Sequence, residues 1–98
     1  MKFSEYMRKG ILISLPAKGR YLVHSGKNGQ PRACAIGAAM LGKLGLNAHC
    51  VSLTEVKKAF PDVPVYIVLE IARRNDFSHK GKQMTRSDIA DWVESKGF

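Results

Sequence analysis

Asn28-Gly29 stands between two short β-prone runs, Arg20-Tyr21-Leu22-Val23-His24 and Arg32-Ala33-Cys34-Ala35-Ile36. No other feature constrains the fold of this chain so tightly. Asn-Gly accepts the positive φ angles of a two-residue hairpin turn, and the turn formers Ser25 to Pro31 surround it. The pattern predicts a β-hairpin with Asn28-Gly29 at its tip.

On both sides of that hairpin the spacing of apolar residues is helical. Phe3, Met7 and Ile11 recur at i, i+4 and i+8 with Tyr6 and Ile13 beside them, which predicts a helix over 3–14 ended by Pro16. A second helix is expected over 36–44, where the small residues at 37, 38 and 39 allow close packing and Gly45 provides a stop. Ser52-Leu53-Thr54-Glu55 reads as a capping box opening a short helix with Leu53, Val56, Ala59 and Phe60, stopped at Pro61. Asp62 is the expected cap of the next helix, with Pro64 in its first turn and Val65, Val68, Leu69 and Ala72 as its buried stripe, ending near Arg74-Asn75. Thr85 and Asp88 form a second box before a helix whose core face is Ile89, Trp92 and Val93, with Trp92 as the anchor of the C-terminal core, and Gly97 closes that helix. The expected fold class is therefore α+β, mostly helical, with about five short helices and one β-hairpin.

A chain of 98 residues, 45% of them hydrophobic, has room for one core, so residues 1–98 are read as a single domain. The apolar patch Ile11 to Leu15 is too short for a signal-peptide core, and Glu5 precedes it, so it is assigned to the mature fold. No apolar run approaches the roughly 18 residues of a membrane span. Two cysteines, Cys34 and Cys50, do not make a disulfide framework, and a reducing cytoplasm is the expected compartment.

Charge is distributed unevenly. From Tyr6 to Thr54 there is no Asp or Glu, while Arg8, Lys9, Lys18, Arg20, Lys27, Arg32 and Lys43 fall in that stretch. After Ser52, eight basic residues face seven acids, so nearly all of the net +8 belongs to the first half. A one-sided positive field attracts polyanions. The candidate binding residues are Lys18, Arg20, Lys27 and Arg32 on and before the hairpin, with Arg8 and Lys9 on the first helix. Each could neutralise one phosphate, and a two-stranded ribbon fits a DNA major groove.

Catalytic and metal motifs fare less well. Gly37 to Lys43 has the spacing of a phosphate-binding loop, but Leu44 stands where Ser or Thr must hold Mg²⁺, and Ala38-Ala39-Met40-Leu41 favours helix. His49-Cys50 are adjacent, and no pair of ligands has zinc-chelating spacing. The C-terminal helix could open a helix-turn-helix, yet no recognition helix follows it. The pair of helices around Pro61 ends in an apolar Val65 to Leu69, unsuited to reading bases. Cys34 precedes a helix, where amide dipoles lower a thiol pKa, and His24, His49 or His79 with Asn75 or Asp76 could complete a nucleophile site. A Cys34-dependent hydrolase is thus an alternative to the main reading, which is non-enzymatic and needs no cofactor or metal.

Two stretches carry a resemblance. Arg32-Ala33-Cys34-Ala35-Ile36-Gly37-Ala38-Ala39 resembles the C-A-[LI]-G-A pattern of small phage, prophage and actinobacterial proteins. Arg74-Asn75-Asp76, followed after a polar loop by Arg86-Ser87-Asp88-Ile89-Ala90-Asp91-Trp92-Val93-Glu94, resembles the N-D…[ST]-x-x-x-I-A-[DE]-W-[LIV] ending of the same kind of protein. The resemblance implies no activity and no catalytic residues. It implies a setting, the cytoplasm of a bacterial or phage-infected cell, in which small basic proteins bind nucleic acid or an acidic host protein. A protein–protein module or homodimer with an apolar interface, formed through the helix over 36–44, is the other expectation for a partner.

Overall fold

The computed structural model describes residues 1–24, 29–50, 52–77 and 83–98. In chain order the elements are α1 (Phe3–Ile11), β1 (Leu15–Pro16), β2 (Leu22–Val23), β3 (Arg32–Ala33), α2 (Ala35–Leu44), α3 (Leu53–Ala59), α4 (Val65–Asp76) and α5 (Arg86–Ser95). The fold is α+β and mostly helical, as the periodicities predict. No helix among the described residues is long and apolar enough to cross a membrane.

The strands form a sheet of order β1-β3-β2 rather than a lone hairpin. β2 and β3 make the predicted antiparallel pair, with Leu22 opposite Ala33 and Val23 opposite Arg32. The tip residue Asn28 lies outside the described residues. β1 adds in parallel to the other edge of β3 because α1 stops at Ile11, three residues before the predicted end. Leu15 and Ala17 donate their N–H groups to the carbonyls of Pro31 and Ala33 at 2.9 and 3.2 Å. Alternation along the strand then turns residue 16 away from β3, where proline's missing donor costs no ladder bond.

α2 is the centre of the molecule. Every residue from Ala35 to Leu41 is buried, so this helix has no solvent face in its first two turns. Against it lies α1, and the two backbones touch: Cβ atoms built on Gly10 and Gly42 would fall 1.6 Å from the Ala38 oxygen and 1.9 Å from the Tyr6 oxygen. The small residues of α2 are therefore used within the chain, and the face proposed for a homodimer is covered by α1. Gly45 takes φ 86° and returns its N–H to the Leu41 carbonyl at 2.8 Å, closing the helix as expected.

Two of the three expected side-chain caps differ from what forms. Ser52 directs its hydroxyl to the Glu55 carboxylate at 3.3 Å instead of accepting from a helix amide, so α3 has no side-chain cap. Asp62 does not cap α4. Pro64 holds the N-cap position in extended conformation, and its carbonyl accepts from Ile67 and Val68. Thr85 and Asp88 do form the reciprocal box at α5, at 3.0 and 3.1 Å.

The buried stripe of α4 is corrected in part: Val68 is buried and Ala72 packs against the core as expected, but Val65 and Leu69 do neither. Ile67, Val68, Ile71 and Asn75 face inward, whereas Val65, Tyr66 and Leu69 are exposed. The run from Val65 to Leu69 is apolar all round, so spacing alone could not choose its inner face. Trp92, expected as a core anchor, is only half-buried, beneath the guanidinium of Arg74 at 4.4 Å from the ring centroid. Ile89, Ala90 and Val93 fill the core from α5.

Candidate anionic-partner site and the adjoining cavity

The loop from β1 to β2 carries Lys18 and Arg20 on either side of Gly19, whose φ of 73° turns the chain sharply. Asp76, the last residue of α4, holds that turn by accepting the Gly19 N–H at 2.9 Å. Both basic side chains are exposed, and Lys18 contacts a neutral group, the Gln83 Oε1 at 2.9 Å. Arg32 projects from the outer face of β3, the central strand. Its cross-strand neighbours there are Leu15 and Val23.

The remaining candidate cations are placed differently. Lys9 is exposed on α1, and Lys27 lies outside the described residues. Arg8 is committed to α5: its guanidinium donates to Asp91 at 2.8 Å and to Glu94 at 3.0 Å. Those hydrogen bonds raise its pKa and offset its charge locally. The structure thus groups Lys18 with Arg20 on one loop, sets Arg32 on the sheet, and ties Arg8 to the acidic helix.

A cavity of about 500 Å³ opens beside this loop. The segment Gly19 to Val23 forms one wall, Ala72 and Asp76 of α4 another, and Cys34 and Cys50 complete it. Cys34 is the N-cap of α2, and its Sγ accepts the Gly37 N–H at 3.4 Å. The expected low thiol pKa does not follow. Burial outweighs the helix amides and pushes the Cys34 thiol up to about 11. Burial likewise pushes Cys50 up to about 11 and raises the Tyr21 phenol. Neither histidine described near this region serves Cys34: His24 bonds the Ala48 carbonyl through Nε2 at 2.7 Å and stacks edgewise on His49. His79 lies outside the described residues.

The motif residues Asn75, Asp76 and Arg86 turn out to be ties between distant segments. Asn75 accepts the Ala35 N–H at 3.0 Å, so α4 completes the N-terminus of α2, and its Nδ2 donates to the Ala17 carbonyl at 2.9 Å and to Asp76 at 3.0 Å. Arg86, buried in the first turn of α5, donates to the Ser14 hydroxyl at 2.7 Å, the Ser14 carbonyl at 2.8 Å and the Ala33 carbonyl at 3.2 Å. Desolvation lowers its pKa, and carbonyls take the place of a carboxylate partner. Sequence reasoning missed Ser14 and Arg86 because a buried arginine serving backbone carbonyls has no local signature. The only available signal was that Arg86 lies within the second motif.

A comparison with known protein families, with curated proteins and with solved structures finds no match to this chain in any of the three.

Proposed function

We propose that this protein is a non-catalytic binding module for an anionic partner, held chiefly by Lys18, Arg20 and Arg32, with Lys9 and Lys27 adding to the field. Arg8 contributes least, since Asp91 and Glu94 already offset it. One observation carries the reading. All eight carboxylate side chains of the protein belong to described residues, and none is within ion-pair distance of Lys9, Lys18, Arg20 or Arg32. The positive potential of this half is therefore directed outward, where it can steer a polyanion. The bacterial or phage-infected cytoplasm implied by the resemblance would offer nucleic acid and acidic proteins alike.

Fluorescence anisotropy of labelled single- and double-stranded DNA and RNA tests this. If three cations each neutralise a duplex phosphate, affinity falls roughly 40-fold between about 50 and about 200 mM salt. The double variant Arg20→Glu/Arg32→Glu should abolish binding. Equal binding by that variant would remove these residues from the site. No binding to any nucleic acid would redirect the search to acidic proteins.

A second reading is favoured by the outer face of α4, where Val65, Tyr66 and Leu69 are 42%, 69% and 55% exposed. Such a face suits an apolar protein interface or a homodimer. Sedimentation that depends on concentration in the native protein, and is lost in Leu69→Glu, would support it.

A further inference from the structure

We propose that the cavity beside Arg20 is a binding site for a small organic anion, one carboxylate or phosphate head on a compact apolar body. The inference needs only the cavity and Arg20 and does not rest on polyanion binding.

At about 500 Å³ the cavity falls within the roughly 300–1,000 Å³ range of small-molecule sites. Among the described residues two charged groups line it, Arg20 and Asp76, and they differ in what they already do. The Oδ1 of Asp76 takes the N–H of Gly19 and the Nδ2 of Asn75, so this carboxylate is engaged in fixing the loop. Arg20 lines the same space with no carboxylate in ion-pair range, and the segments outside the described residues contain no Asp or Glu to supply one. Its planar fork of N–H donors matches a carboxylate or phosphate in two parallel hydrogen bonds.

The rest of the lining favours the same ligand class. Leu22, Val23 and Ala72 are apolar. Cys34, Cys50 and Tyr21 stay protonated at neutral pH, since burial raises all three, so the wall adds no second negative charge. Arg20 is exposed, so water screens part of its attraction, and the two directed charge-assisted hydrogen bonds carry the preference for an anionic head. Protonated thiols are also poor metal ligands. The apolar part of a ligand would lie on Leu22 and Ala72, with its head at Arg20.

Amide NMR titration of the intact protein tests the assignment with three probes sharing one ring: benzoate, phenyl phosphate and uncharged benzyl alcohol. Saturable shifts confined to residues 19–23, 34, 50, 72 and 76 are expected for at least one anion, with Kd of ~1–10 mM for so few atoms. Benzyl alcohol should bind at least about tenfold more weakly, because it lacks the charge-assisted hydrogen bonds. Arg20→Gln should erase that difference, and the exposed position of Arg20 keeps the fold intact. Ala72→Leu should weaken all three probes by narrowing the cavity, and Lys2→Gln, at an exposed lysine outside the cavity lining, should alter none. The anion that binds more tightly identifies the preferred head. Equal affinity for charged and uncharged probes, shifts centred elsewhere, or no effect of Arg20→Gln would overturn the proposal. So would the absence of any saturable shift by about 50 mM, beyond the range expected of probes this size. None of these outcomes bears on the salt-dependent anisotropy, so the two readings fail separately.

Discussion

Gly10 and Ala38 meet backbone to backbone: a Cβ on the glycine would fall 1.6 Å from the alanine carbonyl oxygen. No rotamer change relieves such a contact, because the neighbour is main chain. Replacing Gly10 with Ala gains about 1 kcal/mol of helix propensity. Forcing α1 off α2 costs more, typically about 1–3 kcal/mol for overpacking and above that when main chain must move. Gly10→Ala should therefore lower the urea midpoint by an amount equivalent to about 2 kcal/mol. A midpoint at or above that of the native protein would show that the helices are not seated this closely.

Arg86 supplies hydrogen bonds to three oxygens on Ser14 and Ala33. Arg86→Leu leaves the two Ser14 oxygens without this donor, while the Ala33 carbonyl keeps the Ala17 N–H, and should destabilise by roughly 2 kcal/mol, at about 1 kcal/mol or more for each orphaned acceptor. Arg86→Lys should recover only part of the loss, since an ammonium lacks the planar fork. Full recovery by lysine would mean that charge alone, rather than directed bonds, is what this site requires.

Glu70 is held at a pKa of about 2, first by its hydrogen bond from Arg73 and then by that from Arg74. Arg74 in turn covers Trp92, the single tryptophan. Between the ordinary value of 4.5 and about 2 the unfolded chain binds the proton that the folded chain refuses. The stability from this group is thus present above 4.5 and lost as pH falls through 2. Glu70→Gln should give, at neutral pH, the Trp92 emission that the native protein reaches only near pH 2. Identical emission of the two proteins at neutral pH would uncouple Glu70 from the tryptophan.

The thiols set the opposite limit. Cys34 and Cys50 are raised from 9.0 to about 11 by burial. The unfolded chain therefore releases protons from pH 9 that the folded chain keeps until about 11, and stability declines across that window. Melting temperature should fall from pH 9 to 11, with a shallower slope in Cys50→Ala. Iodoacetamide at neutral pH should label neither thiol until the protein is unfolded. Rapid labelling of Cys34 in the native state would restore the nucleophile alternative.

Helices announced by periodic apolar residues and glycine stops were legible, as Met7, Gly45 and the Thr85–Asp88 box illustrate. The β2–β3 pairing was legible from its turn. β1 was not, because its two residues look like the end of a helix until β3 is present to receive them. The inner face of α4 was hidden by an excess of apolar residues, so that Leu69 and Ile71 were equally eligible and only the packing against α2 and α5 decided. At the candidate site the positive charges could be read directly. Their setting could not: whether Arg8 meets Asp91, or Arg20 is left without a carboxylate in ion-pair range, depends on elements more than fifty residues apart being folded against each other.

The basic half cannot be cut out as a working fragment. α2 receives the bond that completes its first turn from Asn75, the β1 segment is held by Arg86, and Gly19 is held by Asp76. A peptide ending near residue 50 would keep the positive residues and lose every one of these supports. It would still attract phosphate by charge alone, as any polycation does, but it would have no cavity beside Arg20 and no fixed spacing between its cations. Discrimination among anions, if the protein has it, belongs to the nearly neutral C-terminal half that contributes almost none of the charge.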